Sequence, residues 1–338
     1  MNLSIGNIVE DLTRWRDSFL ENRMAMGKAK RTIAIYGGVL DELVEFSRPY
    51  QDQVSIRDMN QFFVTNFFNE KEITESAKLL KNPTGRHGFS ATSKGLYLRI
   101  IKMFLLFISE NNIESVDLTN LNRKFKITPV EVEKPRIEEK DINRVENYLA
   151  KMEKEGRRAV TTYRNALMFN ICLETGIRAM ELVSLRYSDL VPCEFDDGEG
   201  NSQSGYKFLV IGKKKKQRIL YILGDKIAEE LEFLTKHYQP SDFIAASTRG
   251  GTALAPNKIY ELFDRIYRGA CVNKRGVHIL RHTMARRKVA KNVNLVTISE
   301  ILGHSSIAVT HKFYAKTNEE NKMAALMGLN HGTKKPPV

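Results

Sequence analysis

The apolar pattern of this 338-residue chain lapses over residues 123–139, where Pro129 and Pro135 stand among alternating charges. Such a composition is typical of an exposed connection between domains. The length points the same way, because a single hydrophobic core usually stops growing at about 250 to 300 residues. The pattern therefore predicts a first domain over residues 1–122, a linker over 123–137 and a second domain over 138–338.

Apolar residues recur at helical spacing throughout the first domain. Two helices are indicated over 5–46, a third over 56–68 and a fourth over 93–111. The turn-forming stretch 81–88 predicts a loop before the fourth helix. We expect an all-helical domain, whose fourth helix buries one side made of Leu96, Ile100, Phe104 and Phe107.

Helical patterns also open the second domain. A polar helix near 138–154 precedes a buried one over 163–174, and Gly176 suits the end of the latter. The chain after residue 226 again has helical spacing.

Between these helices lies the pattern of a β-hairpin, in which the runs 208–212 and 218–223 flank the lysine-rich stretch 213–217. After Asp189 a strand-like stretch leads into a flexible polar loop over 196–205. The acidic stretch 194–205 resembles an insertion, and the sequence indicates no function for it. The predicted fold class is therefore mainly α with a small β-sheet: a helical domain followed by an α+β domain.

The charge of the chain indicates a polyanionic partner. The net charge is +13 and the isoelectric point is near 9.5. Residues 1–130 hold 18 basic and 15 acidic residues, so most of the excess lies in the second domain. Each lysine or arginine that meets a phosphate releases condensed counterions, which makes nucleic acid the first candidate and an acidic membrane surface the second.

Composition argues against several other protein classes. No apolar run approaches the roughly 18 residues of a membrane-spanning helix, and residues 1–10 lack the features of a secretory signal. We therefore expect a cytoplasmic protein that does not enter a membrane. Three scattered cysteines indicate neither a disulfide framework nor a zinc site.

Four short stretches carry side chains suited to phosphodiester chemistry. His278 and Arg281 are three residues apart at the predicted start of a helix, so both can reach one phosphate. A guanidinium holds two phosphate oxygens in a planar fork, and an imidazole moves a proton near pH 7. The other stretches contain Arg178 with Glu181, His304, and Tyr314.

Each of these features alone also has an ordinary structural explanation. Arg178 and Glu181 suit a surface ion pair, Tyr314 suits core packing, and His304 suits a helix cap. The lysines over 213–216 suit a solvated hairpin tip. Together, however, arginine, histidine and a tyrosine hydroxyl form the set that a protein would gather to attack a phosphodiester without a metal.

In their order along the chain and in their local amino-acid sequence, these stretches resemble the tyrosine recombinase (phage integrase) family. Thr175-Gly-Ile-Arg178-Ala-Met-Glu181-Leu resembles its first box. His278-Ile-Leu-Arg281-His282-Thr, Leu302-Gly-His304-Ser-Ser-Ile and Tyr314 resemble its second, and Gly212-Lys213 stands where the family has its active-site lysine. Residues 1–120 resemble its core-binding domain more loosely. The resemblance covers nearly the whole chain and implies a helical core-binding domain followed by an α+β catalytic domain.

The resemblance implies how the strand would be cut. Tyr314 would attack a DNA phosphodiester to give a 3'-phosphotyrosine and a free 5'-hydroxyl. Lys213 would protonate the departing 5'-oxygen, and His278 would act as general base toward the phenol.

The remaining residues would stabilise the transition state. Arg178, Arg281 and His304 would hold the non-bridging oxygens, and Glu181 would orient its neighbours. Neither a metal ion nor a cofactor is implied.

Two features of the match leave details open. Lys214, Lys215 and Lys216 are rivals of Lys213 for the general acid, since one slip in the hairpin would exchange them. Tyr314 follows His304 by ten residues, one more than the common family spacing, and this resembles the conjugative-transposon branch.

Double-stranded DNA is the implied partner. Candidate phosphate contacts lie between the first two predicted helices, in the fourth helix and at the hairpin tip: Lys28, Lys30, Arg31, Lys94, Lys214, Lys215 and Lys216. The apolar segment 321–329 is too short to be stable alone and must dock. In relatives such a helix packs into a neighbouring protomer, so we expect a homotetramer on paired sites; docking onto its own domain is the alternative.

The expected function is site-specific recombination through a 3'-phosphotyrosine and a Holliday junction. A Xer-like or transposon-type enzyme is favoured, because residue 1 lies close to the core-binding helices and leaves no room for an arm-binding domain. Two alternatives stay open: a type IB topoisomerase or telomere-resolving enzyme with the same chemistry, and a DNA-binding regulator that keeps the fold without the activity.

Overall fold

A computed structural model describes residues 1–81, 89–122, 136–156, 158–196, 200–212, 216–247 and 252–304, together with 306, 308 and 310. The chain divides into two units, Met1–Val132 and Glu133–Val338. Of the predicted linker, only Arg136 and Ile137 lie within the described residues. Ile137 is buried in the second unit, and its backbone N–H donates to Thr283 Oγ1 at 2.9 Å.

In the described part of the first unit the α-helices are α1 (Ile8–Ala25), α2 (Lys30–Ser47), α3 (Gln61–Lys81) and α4 (Ala91–Asn111). The side chain of Asn7 caps α1 by accepting from Val9 and Glu10 backbone N–H groups, each at 3.0 Å. Edge-to-face aromatic packing fills the core, with Phe19 against Phe104 and Phe107 at 5.7 and 5.6 Å between centroids. The predicted all-helical unit is thus confirmed.

Two details of the predicted third and fourth helices are wrong. The third helix begins at Gln61, not at residue 56, because Ile56–Asp58 forms a separate 3-10 turn capped by Ser55. This helix also continues beyond the predicted end, to Lys81. In α4, Leu96 is 37% exposed. The buried stripe is centred on Leu98, Ile101 and Leu105 as well as on the predicted residues, which leaves Leu96 at its edge.

The second unit packs one face of a three-stranded antiparallel sheet of order β1-β2-β3 against helices, and the predicted fold class is confirmed. Its strands are β1 (Val191–Asp196), β2 (Ser202–Ile211) and β3 (Gln217–Leu223). Its helices are α5 (Glu139–Lys154), α6 (Ala159–Thr175), α7 (Ala179–Leu182), α8 (Ala228–Leu234), α9 (Pro256–Gly269), α10 (His278–Ala290) and α11 (Leu295–Leu302).

Part of the predicted polar loop is strand. Residues 193–196 of β1 pair with 202–205 of β2, from Cys193 opposite Gly205 to Asp196 opposite Ser202. The sequence predicts a strand-like stretch up to residue 196, where Cys193-Glu194-Phe195-Asp196 alternates apolar and polar side chains, but it misses 202–205, because Ser-Gln-Ser-Gly contains no apolar side chain. The second hairpin is confirmed, with Ile211 opposite Gln217.

Helix α6 is the central element of the second unit, because it is buried on nearly all sides against α5, α8, α10 and β3. It ends at Gly176, whose φ of +62° is left-handed and whose N–H donates to Cys172 O at 3.0 Å. This turn ends the helix, and Arg178 follows two residues later as the N-cap of α7. Among the described residues, no helix has the length and apolar character that crossing a membrane requires.

Candidate active site

Glu181 holds Arg178 by two bonds at the start of α7. One carboxylate oxygen accepts from the Arg178 backbone N–H and the other from Arg178 Nη1, both at 2.9 Å. The glutamate side chain is 3% exposed and the arginine side chain 28%. A buried carboxylate therefore fixes a guanidinium that keeps one side open to solvent, as the predicted orienting role of Glu181 requires.

Arg218 on β3, which was not predicted from the sequence as a site residue, binds the same carboxylate. Its Nη1 and Nη2 donate to the two oxygens of Glu181 at 2.8 and 2.7 Å. Burial alone would raise the pKa of Glu181, but hydrogen bonds from Arg218 and Arg178 outweigh it and lower the pKa to about 2. The carboxylate is therefore charged at neutral pH.

Arg281 projects from the first turn of α10 and is 6% exposed. Its Nη1 donates to Gly176 O at 2.7 Å, and its Nη2 donates to Leu302 O. The guanidinium thus ties the end of α6 to the end of α11. The side chain also packs beside Gly176, where an added Cβ would lie in van der Waals contact, 3.5 Å, with Arg281 Cγ.

The C-terminal end of α11 is where the arginines meet. The carbonyls of Ile301, Leu302 and Gly303 accept in turn from Arg218 Nε at 2.7 Å, from Arg281 Nη2, and from Arg178 Nη2 at 3.2 Å. Unpaired carbonyls give a helix C-terminus partial negative charge, so cations are favourable there. Gly303 then adopts a left-handed φ of +59°, which turns the chain so that His304 follows directly.

His304 and His278 share this cationic surrounding. His304 Nδ1 lies 2.8 Å from the hydroxyl of the fully buried Thr310. Burial, Arg281 and Arg178, in that order, lower the pKa of both histidines, that of His304 to about 4. Both imidazoles are therefore neutral at pH 7.

Gly212, which follows β2 and precedes Lys213, also lies beside this cluster. A Cβ on Gly212 would lie 3.2 Å from Glu181 Oε1 and 3.5 Å from Arg178 Nη1. The Gly212 N–H donates to Lys216 O at 2.7 Å. Lys213, Lys214, Lys215 and Tyr314 lie outside the described residues.

The described elements thus bring four predicted residues into one cluster, namely Arg178, Arg281 and His304 around the end of α11 with His278 in the same turn as Arg281. A model of the phage integrase family matches residues 135–321, more than half of the chain. The chain belongs to the phage integrase family.

Sequence relatives support this placement. The chain is 28% identical to tyrosine recombinase XerH of Campylobacter jejuni over 166 residues, which cover 48% of this chain and 44% of XerH. It is 25% identical to a tyrosine recombinase of Pseudothermotoga lettingae over 264 residues, 66% of this chain and 87% of that protein. The chain therefore matches less than half the length of XerH.

Solved structures share the fold of this integrase family member. A XerH recombinase in a post-cleavage complex with palindromic difH aligns with a TM-score of 0.71 at 19% identity, covering 97% of this chain and 98% of that one. The Tn1549 transposon integrase bound to transposon right end DNA aligns with a TM-score of 0.64 at 14% identity, covering 94% and 99%. At these identities the likeness shows the fold.

The candidate DNA contacts of the first unit differ in their surroundings. Lys28, Lys30 and Arg31 are exposed around the start of α2. Lys94 instead pairs with Glu72 at 2.5 Å, so it would have to exchange this carboxylate for a phosphate. In the second unit Lys216 is exposed.

We expect replacement of His304 by glutamine to flatten the pH dependence of stability between about pH 4 and pH 6.5. The histidine pKa falls from 6.5 to about 4 on folding, so in this interval the unfolded chain binds a proton that the folded chain does not. The contribution of His304 to the free energy of unfolding is therefore complete above pH 6.5 and is lost as the pH falls toward 4. Urea unfolding of both proteins at pH 5 and pH 7 measures the difference.

The exposed His237 provides the control for this experiment. His237→Gln should keep the wild-type loss of stability between pH 7 and pH 5. Equal pH dependence of His304→Gln and wild type would contradict the assignment of a neutral His304.

Proposed function

We propose that this protein is a site-specific DNA recombinase that breaks and rejoins strands through a 3'-phosphotyrosine on Tyr314 and a Holliday junction. The observation that carries the proposal is the anchoring of Arg178 and Arg281 on neighbouring carbonyls at the end of α11, immediately before His304. Two fixed guanidinium groups beside an imidazole suit a phosphate whose charge grows in the transition state.

In the proposed step, the phenol oxygen of Tyr314 bonds to phosphorus as the bond to the 5'-oxygen breaks. His278 takes the phenol proton, and Lys213 gives a proton to the 5'-oxygen. The number of phosphoester bonds is unchanged, so the 5'-hydroxyl of another strand can reverse the step and no external energy source is needed. His278 suits the role of base because the lowered pKa leaves its imidazole neutral.

Thr310 supports a donor role for His304. If the Thr310 hydroxyl donates to Nδ1 across the 2.8 Å contact, the neutral ring carries its proton on Nε2. That N–H can then donate to a non-bridging oxygen without the ring being charged.

Attraction between lysine or arginine side chains and backbone phosphates would provide much of the affinity for duplex DNA. Lys28, Lys30 and Arg31 would contact backbone phosphates from the first unit, and Lys214, Lys215 and Lys216 from the second. Such contacts make affinity fall steeply with salt. We place the protein in the cytoplasm with its DNA.

A covalent trap tests the function. Nicked duplexes with a randomised core are incubated with the full chain in EDTA; loss of the short fragment beyond the nick prevents religation. We expect an SDS-resistant protein–DNA adduct attached through Tyr314, and sequencing of the attached DNA defines the site. Binding without any adduct would favour the inactive regulator.

A plasmid assay separates recombination from the other tyrosine chemistry. Supercoiled plasmids with two copies of the trapped site should yield exchanged products. Relaxation that does not depend on paired sites would instead indicate a topoisomerase-like enzyme.

We further propose a homotetramer assembled by exchange of the apolar segment 321–329, which lies outside the described residues. Docking of the segment on a neighbouring protomer would add to the free energy of assembly. Burying one leucine-sized side chain contributes about 1.5 to 3 kcal/mol, and about 1.4 kcal/mol corresponds to a tenfold change in affinity. Removing the residues after Lys316 should therefore lower synapsis of paired sites at least about tenfold and preserve single-site binding, both read by gel shift. Unchanged synapsis would contradict the exchange.

A further inference from the structure

Arg218 joins two parts of the active site that are distant in sequence. It is the second residue of β3, and its side chain is 10% exposed. Two of its nitrogens bind both oxygens of Glu181, and the third, Nε, donates to Ile301 O at 2.7 Å. All three guanidinium nitrogens are therefore engaged within the protein.

The bonds to Glu181 make Arg178 dependent on Arg218. Oε1 accepts from the Nη1 atoms of both arginines, at 2.9 and 2.8 Å. A carboxylate held in this way cannot rotate without breaking bonds on both sides. Arg218 therefore fixes the plane of Glu181, and Glu181 fixes the guanidinium of Arg178.

The bond to Ile301 makes the end of α11 depend on the same side chain. A Cβ on Gly303 would lie 3.1 Å from Arg218 Cδ, so the guanidinium stem packs against the turn that leads into His304. Loss of Arg218 would leave Ile301 O and one side of Glu181 without their described donor. It would also free space beneath the turn.

We propose that Arg218 is a positioning residue for DNA cleavage, which holds Glu181 and the end of α11 in one register so that Arg178 and His304 meet the same phosphate. This inference rests on the proposed recombinase function. Arg218 itself would not contact DNA, because its guanidinium nitrogens are bound to Glu181 and Ile301 O. Its effect is on geometry, where a misplacement of about 1 Å can cost about 100-fold in rate.

The test separates the rate of cleavage from DNA affinity. Arg218→Ala and Arg218→Lys are compared with wild type on the nicked substrate at saturating protein, and affinity is measured by fluorescence anisotropy. We expect the alanine variant to cleave about 100-fold more slowly with its dissociation constant within about threefold of wild type. Lysine should restore little, because an ammonium cannot bind two oxygens of Glu181 in a planar fork while also reaching Ile301 O.

Arg186→Ala is the matched control. Arg186 also donates to a distant carbonyl, Ser241 O, and lies over the ring of Phe243, 3.9 Å from its centroid. Thermal unfolding of each variant checks that the domain is folded at the assay temperature. The control should cleave at a rate close to wild type.

Guanidinium rescue distinguishes positioning from general support of the fold. Millimolar guanidinium should accelerate cleavage by Arg218→Ala several-fold and leave wild type and Arg186→Ala unaffected. Unchanged cleavage by Arg218→Ala, a parallel fall in rate and affinity, or absence of rescue would overturn the inference. Absence of an adduct with wild type would instead refute the recombinase function.

Discussion

Replacement of Tyr314 by phenylalanine should abolish the covalent protein–DNA adduct and leave duplex binding within about twofold of wild type. Phenylalanine keeps the ring but has no oxygen to bond to phosphorus. Loss of a nucleophile typically costs on the order of 10⁴-fold or more, which places cleavage below detection. The nicked substrate, SDS gels and fluorescence anisotropy measure the two effects separately.

Tyr221→Phe is the control for the nucleophile. Tyr221 lies on β3 and is 54% exposed, so removal of its hydroxyl should preserve adduct formation. An adduct formed by Tyr314→Phe would show that another side chain attacks the phosphate. Loss of binding together with cleavage would show that the ring, and not the oxygen, is the essential part.

Arg281→Ala is expected to lower the cleavage rate about 100- to 1000-fold, the usual cost of removing one donor to a developing charge. The change also leaves the buried carbonyls of Gly176 and Leu302 without this donor. Each unsatisfied group costs about 1 to 3 kcal/mol, so the free energy of unfolding should fall as well. Single-turnover cleavage and urea unfolding of the same preparation measure both quantities.

Two further variants separate the electrostatic effect from the loss of stability. Arg281→Lys keeps the charge but cannot serve both carbonyls and a phosphate, so its cleavage should also fall well below wild type. Arg268→Ala removes an arginine near the end of α9, which donates to Asp264 O at 3.3 Å, and should cleave normally. A rate loss no larger than the unfolded fraction of Arg281→Ala would contradict a role in the transition state.

These effects have a common physical origin in how the arginines are held. Arg178 and Arg281 are bound to backbone carbonyls and to a buried carboxylate before any DNA arrives. Little reorganisation is then required when charge develops on the phosphate. Burial and then the charges of Arg281 and Arg178 lower the pKa values of His304 and His278.

Local patterns predicted the elements that carry these residues. Gly176 ends α6 and His278 begins α10, because capping and the spacing of apolar residues act within a few residues along the chain. The pattern was insufficient where neighbours in space decide the outcome. The pairing of residues 202–205, which have no apolar side chain, and the exposed position of Leu96 are of this kind.

The sequence by itself predicted the candidate reactive side chains and determined their order, since arginine, histidine and tyrosine have chemistries that spacing and family resemblance indicate. Only the tertiary structure decided how they are held. Ile301 O and Arg218 are 83 residues apart, and Gly303 O and Arg178 are 125 apart. Every residue has a backbone carbonyl, so no residue pattern marks the three that receive the arginines, and only packing of α11 against α10 and β3 selects them.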